Sequence, residues 1–298
     1  MSKPVVVCRV RGGIGNQLFS YAAARRLAVV NDMELVIDNI TGFQRDFTYQ
    51  RTYELEKFKI PCRFASYSER LEPFSRLRRH LLSTWEKRRE FSERRYIFEE
   101  KLDFDRRLLD LKPTSSVFMD GYWQSANYFR DVESVIRADL EIIPPTDTHN
   151  LRMSEQITSS HSSVACHVRF FDDPLQGGSN NAQVEYYVKA IEIIETRVEN
   201  PHYFLFSDHP DAAAEIISLP PARYTCVSHN TSAEMAYADL WLMSLCSNFI
   251  IANSTFSWWG AWLSAAPNKL VIAPGFEKRD GVSAWGFEGL IPDEWITI

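Results

Sequence analysis

The chain has 298 residues, 45% of them hydrophobic and 24% charged, a balance that predicts a folded globular protein of two domains or one large one and excludes wholesale disorder. Asp and Glu outnumber Lys and Arg by 39 to 33, for a net charge of −6, which argues against a dedicated nucleic-acid binder. The five cysteines, at positions 8, 62, 166, 226 and 246, include no C-x-x-C pair. Neither a disulfide framework nor a zinc ribbon is expected, and a reducing cytoplasm fits.

Met1–Pro4 leads straight into an apolar run followed by Arg9 and Arg11, too short a start for the three regions of a signal peptide. Val5–Val10 reads as a buried strand, Gly12, Gly13 and Gly15 as a tight loop, Asn16–Asn31 as a helix and Glu34–Ile37 as a second strand ending at Asp38. Residues 41–60 give weak signals. Between Arg70 and Arg107 the chain turns basic, with 12 Lys/Arg against 8 Asp/Glu, and Phe74, Leu77, Leu81, Leu82 and Trp85 recur at helical spacing. Two readings stand: an amphipathic helix with a solvated basic face, or a patch that approaches an anionic membrane surface or anionic glycan. Val117–Asp120 reads as a strand and Asn127–Leu140 as a helix.

Pro144-Pro145-Thr146 is the best linker, dividing the chain into lobes 1–146 and 147–298. Beyond it, strands at Val164–Val168, Tyr203–Ser207, Tyr224–Val227, Phe249–Ala252 and Leu270–Ala273 alternate with helices near Val184–Val198, Asp211–Ile217, Ser232–Leu245 and Thr255–Ala265. Such alternation predicts parallel sheets covered by helices, and two Rossmann-like lobes facing one cleft. Leu240–Asn268 carries no charge, but its Ser and Asn residues break it too often for a membrane-spanning helix.

The strand–glycine loop–helix of residues 5–31 reads as a good anion site, since glycines admit a ligand to the backbone and the helix start offers free N–H groups, with a purely structural turn as the alternative. It fits the dinucleotide fingerprint only in part, since Gly13 and Gly15 match but Leu18 stands at the third position. With Asp38 at the next strand end, a nicotinamide enzyme remains an alternative. In the second half, His167 and Arg169, Ser207-Asp208, and Asn253-Ser254-Thr255 all lie at strand ends, where open α/β sheets bind ligands. Phe256 at a helix start is placed to face a base or sugar ring, and the following Trp258, Trp259 and Trp262 read as core. Asp103-Phe104-Asp105 has the D-x-D pattern of metal-dependent sugar transferases, but it sits away from any predicted strand end, and no metal site is expected.

The run RVRGGIGNQLFSY (Arg9–Tyr21) resembles the G-G-[LI]-G-N-Q-x-F-x-Y signature of the α-1,2-fucosyltransferases of glycosyltransferase family 11. Gly121–Ser125, Phe206-Ser207-Asp208 and Leu240–Leu263 are similar to further family elements in the same order. One loop departs: the family's H-x-R-R-G-D-Y stands here as His167-Val168-Arg169-Phe170-Phe171-Asp172-Asp173. The resemblance implies a GT-B-like fold and inverting, metal-independent transfer from GDP-β-L-fucose to the 2-hydroxyl of a terminal β-galactoside, with no cofactor. It implies donor contacts at His167, Arg169, Asp208 and Ser254–Phe256, and approach of Gly13, Gly15 and Asn16 to the pyrophosphate and fucose. The acceptor would then belong to the first lobe and the donor to the second.

The chemistry needs fixed donors for charge growing on the leaving phosphate, for which Arg169 and the two helix starts are suited. It also needs a carboxylate base for the galactose hydroxyl. Asp172 follows Arg169 in the same loop and is either that base or an orienter of Arg169; Asp38 is a further alternative. A non-catalytic nucleotide-sugar or glycan binder is the third class, motivated by the altered loop.

Overall fold

The computed structural model describes residues 3–173 and 180–298. The chain forms two compact units: Met1–Glu141 with Glu288–Leu290, and Ile142–Phe287 with Ile291–Ile298. The first boundary lies ahead of Pro144-Pro145. The return of Glu288–Leu290 to the first unit has no local signature in the sequence. It rests on tertiary hydrogen bonds: Phe104 donates from its amide to Glu288 O (2.9 Å), and Asp103 Oδ1 accepts from the Glu288 amide (3.1 Å).

In the first unit the order is β1 (Val5–Arg9), α1 (Ile14–Val30), β2 (Glu34–Asp38), β3 (Arg63–Phe64), α2 (Ser75–Glu86), β4 (Tyr96–Phe98), β5 (Val117–Asp120) and α3 (Glu133–Asp139). The strands form one parallel sheet, β3-β2-β1-β5-β4. The Val-rich β1 is buried at its centre, as an apolar run covered on both faces requires. Helix α1 has apolar residues all round and is buried almost throughout. Burying side chains such as its Leu18 and Leu27 contributes about 1.5–3 kcal/mol each. Tyr21 and Arg25 pin it to α3 through the Asp139 carboxylate, at 2.8 and 2.7 Å.

The second unit runs α4 (Thr148–Ser159), β6 (Ser163–Val168), α5 (Val184–Arg197), β7 (His202–Ser207), α6 (Pro210–Ile217), β8 (Tyr224–Val227), α7 (Ala236–Ser244), β9 (Asn248–Ile250), α8 (Thr255–Leu263), β10 (Val271–Ala273) and β11 (Ile296–Thr297). Its parallel sheet is β11-β10-β9-β6-β7-β8. Trp258, Trp259 and Trp262 are core residues of α8, packed on one another. Gly260 lets α8 approach α7: a Cβ there would stand 2.3 Å from Met243 Sδ.

Several elements differ from the sequence expectation. Residues 127–140 hold two 3-10 turns, Ala126–Tyr128 and Arg130–Val132, ahead of the short α3. Helix α4 was not expected, although its signal is present: Asp147 follows the prolines and its side chain caps the His149 and Asn150 amides. Helix α2 does form where the apolar spacing predicts, but it faces the other way. Ser75 and Glu86 are buried, while Phe74, Leu77, Leu81 and Trp85 are 75%, 57%, 59% and 68% exposed. Its polar groups find partners inside: Arg79 donates to Thr41 Oγ1 at 2.9 Å and the Arg95 amide donates to Glu86 Oε2 at 2.9 Å. Among the described residues no helix is long and apolar enough to cross a membrane.

Candidate active site

Each sheet reverses its winding at one strand, and ligands of open α/β sheets bind outside the carboxyl end of that strand. In the first unit the reversal is at β1, flanked by β2 and β5; in the second it is at β6, flanked by β7 and β9. The glycine loop follows β1 and Arg169 follows β6, so both motifs stand at switch points.

In the first unit Gly12 holds φ +73°, a left-handed conformation that favours glycine, and a Cβ there would meet Asn16 Nδ2 at 2.9 Å. At Gly13 a Cβ would meet nothing nearer than Arg51, at 3.9 Å, so this backbone is open to approach. Gly15 is buried in the first turn of α1. Asn16 and Gln17 buttress the loop. Asn16 Oδ1 accepts from Gln124 Nε2 at 2.7 Å, and Ser20 Oγ donates to Gly121 O at 2.8 Å, which ties the glycine loop to the Gly121–Ser125 element. Gln17 Nε2 donates to Gly12 O (2.9 Å) and Thr52 O (2.8 Å), and its Oε1 accepts the Glu54 amide (3.0 Å).

That last contact brings in residues the sequence reading left out. Glu54 accepts the Ile14 amide at the start of α1, and burial raises its pKa to about 7, against the opposing pull of Arg51. Arg51 and Glu54 lie in the 41–60 stretch, where no periodicity marks them. Asp38 is not free for a ribose or a proton transfer: it is buried and accepts from the Ile40 amide, the Thr41 amide and the Thr41 hydroxyl. Asp105 of the D-x-D run caps a 3-10 turn and pairs with Arg107 at 2.6 Å.

In the second unit the β6–β7 register sets Val168 beside Ser207, and the β6–β9 register sets Cys166 beside Ile250. The three polar strand ends are therefore neighbours. Arg169 Nη1 pairs with Asp208 Oδ2 at 2.7 Å, and the Phe170 amide donates to Asp208 Oδ1 at 3.2 Å. Arg169 thus has Asp208 as its carboxylate partner, not Asp172. Phe170, at the family's second Arg, is buried in the core cluster. Asp172 accepts from Asn180 Nδ2 (2.6 Å) and the Asn180 amide (3.0 Å), and these bonds lower its pKa. The sequence reading missed Asn180. It also receives Lys278 Nζ and Ser283 Oγ on its Oδ1, and its carbonyl accepts Asn253 Nδ2 at 2.9 Å.

His167 is buried with its ring centroid 5.7 Å from that of Phe256. Burial, with Arg169 nearby, drops its pKa to about 3, so it is neutral at physiological pH, and its Nδ1 is buried with no partner among the described residues. Ser254 Oγ caps α8 by accepting the Phe256 amide at 3.3 Å, and Thr255 opens the helix. Ser254, Thr255 and Phe256 are part-exposed, so the start of α8 is open beside the arginine.

Two parallel Rossmann-like units, each with a polar switch point, are the building blocks of the GT-B fold of glycosyltransferases. The pattern of "Glycosyl transferase family 11" matches residues 5–297, and the chain belongs to that family. It is 28% identical to an alpha-1,2-colitosyltransferase of Escherichia coli, over 99% of both chains. It is also 28% identical to the O-antigen biosynthesis glycosyltransferase WbnK of Escherichia coli, over 96% of this chain and 98% of that one. Among solved structures, the fucosyltransferase NodZ from Bradyrhizobium matches 96% of this chain and 97% of its own with a TM-score of 0.53 at 17% identity. A point mutant of Arabidopsis thaliana FUT1 in complex with GDP matches 95% of this chain and 72% of its own with a TM-score of 0.55 at 14% identity. Membership of this family removes the nicotinamide reading.

Proposed function

We propose that the chain is an inverting galactoside 2-α-L-fucosyltransferase, moving L-fucose from GDP-β-L-fucose to the 2-hydroxyl of a terminal β-galactoside. The observation that carries this reading is Arg169, held by Asp208 at the switch point of the second unit beside the open start of α8. A part-exposed guanidinium and a helix start together suit a pyrophosphate. The relatives whose names state an α1,2 linkage and a role in O-antigen synthesis support the linkage and the glycan class. NodZ soaked with GDP-fucose, a fold match with a TM-score of 0.51, supports the donor.

When the fucose–phosphate bond breaks, charge grows on the β-phosphate. Arg169 and the amides at the start of α8 stabilise it without reorganising. In the second unit Phe256 offers an apolar edge beside neutral His167, and in the first the Gly13 backbone is open to a ligand. Asp172 has both carboxylate oxygens held by Asn180 and positions that residue. Within the first unit, burial raises the Glu54 pKa to about 7, which suits a proton acceptor for the attacking hydroxyl. The deciding experiment is turnover of GDP-fucose and of a colitosyl donor over a panel of β-galactosides. Transfer of colitose but not fucose would overturn the donor assignment, and transfer to a hydroxyl other than O2 would overturn the linkage.

The enzyme further binds membranes peripherally through α2. Leu77, Leu81 and Trp85 lie four residues apart, hence in one line, and are exposed together with Phe74 while Arg78 and Arg88 flank them. An apolar stripe edged by cations suits an anionic bilayer surface. Sedimentation with phosphatidylglycerol-containing vesicles should retain the wild type and release a Leu81→Ser/Trp85→Ser variant. If the wild type stays in the supernatant, or those changes instead dissolve a dimer, the membrane reading fails.

A further inference from the structure

The first unit contains a cavity of about 700 Å³ at the carboxyl ends of β1, β4 and β5, walled by the inner face of α2. Five guanidiniums line it, those of Arg9, Arg11, Arg45, Arg76 and Arg79, against the carboxylates of Asp120 and Glu99. Those two acids are already engaged. Asp120 is shared between Arg9 at 3.1 Å and Arg11 at 3.6 Å. Glu99 accepts the amides of Tyr122 (2.9 Å) and Trp123 (2.8 Å), and burial raises its pKa.

Among the described residues, Arg79 bonds only neutral oxygens, the hydroxyls of Thr41 and Ser75 at 2.9 and 3.3 Å. Arg9 Nε reaches the same Thr41 hydroxyl at 3.2 Å. Burial, and next the charge of Arg9, lower the pKa of Arg79. Among the described residues, no carboxylate lies within ion-pair distance of Arg45, Arg76 or Arg79. Like charges crowded in a concave, partly desolvated site repel one another until an anion enters.

We propose that this cavity binds an anionic group, a carboxylate or a phosphate, carried by the acceptor beyond its galactose. The inference rests on the reading that the first unit takes the acceptor, and it adds a charge requirement that neither the family nor the relatives' names assign. Guanidiniums suit this role because their planar forks match the paired oxygens of both groups.

The test has two parts, both run with GDP saturating so that the donor site is filled. First, inorganic pyrophosphate should raise the melting temperature of the wild type, and an Arg45→Gln/Arg76→Gln variant should lose that shift. Both residues are exposed and free of ion pairs among the described residues, so the variant should fold. Second, calorimetry should compare phenyl β-galactoside with its 4-carboxyl and 4-phosphate derivatives. The anionic ligands should bind about tenfold more tightly than the neutral one, and the double variant should abolish that ratio. Whichever anionic derivative shows the larger ratio identifies the group as carboxylate or phosphate. Equal binding of neutral and anionic galactosides overturns the proposal. So does a variant that weakens GDP itself, because the cavity would then serve the donor. If GDP-fucose is not turned over while the charge ratio holds, the donor reading falls and the anion site stands.

Discussion

Replacing Arg169 by Ala separates catalysis from stability. The side chain is about one-third exposed and so is its partner Asp208, so losing the 2.7 Å ion pair costs no more than about 1 kcal/mol. For a protein of this size that is a fall in melting temperature of roughly 3 °C. Losing a preorganised donor to a developing oxyanion costs far more, about 10²–10³ in kcat or roughly 3–4 kcal/mol. Arg169→Lys should recover only part of this, because a point ammonium does not span two phosphate oxygens. Asp208→Asn keeps an acceptor for the Phe170 amide but frees the guanidinium, and should cost about tenfold through misplacement. The assays are single-turnover transfer with saturating donor, GDP affinity by calorimetry, and thermal unfolding of each variant. A near-native kcat for Arg169→Ala with a markedly lowered melting temperature would refute the assignment and leave Arg169 a structural residue.

The proton acceptor is read from pH. With Glu54 at about pKa 7, kcat/KM should rise through neutrality; Glu54→Gln should flatten that limb and Asp172→Asn should keep it, and the reverse pattern restores Asp172 as the base. Stability carries the matching sign. Burial raises Glu54 above its usual 4.5, so its native state holds the proton between about pH 4.5 and 7, and stability is lost as pH rises through that window. Thermal unfolding of Glu54→Gln should lack this decline. Phe170→Arg would place an unpaired charge in the core cluster; it should destabilise by about 3 kcal/mol or more, read by denaturant unfolding, rather than supply the family's second cation. Activity should persist in excess EDTA; loss on chelation, restored by Mn²⁺ or Mg²⁺, would contradict the metal-free mechanism.

The sequence alone determined the central strands and the loops that end them, but not the short edge strands β3, β4 and β11. Val-rich runs such as residues 5–8 and 164–168 can be satisfied only in a buried parallel sheet, and a polar or glycine-rich stretch must follow where the chain leaves it. His167, Arg169, Asp208, Ser254 and the glycine loop were legible on that ground. Period alone also placed α2, because apolar spacing near 3.6 residues marks a helix whatever covers it. What period cannot say is which face is inside. That followed from the partners of Arg79 and Glu86, which come from Thr41 and Arg95 and are not specified by helix spacing.

Pairing across strands was likewise hidden. Asp172 is three residues from Arg169 and Asp208 is 39 away, yet the parallel register of β6 and β7 brings Asp208 to the arginine. Glu54 and Arg51 sit in a segment without regular structure, fixed by Gln17 from α1, so no local pattern could mark them. Strand order is the largest case: the sequence lists strands in succession, but only the assembled sheets reveal that β1 and β6 are flanked from both sides. A switch point is a property of neighbours in space, and hydrogen-bond pairing between distant strands creates it.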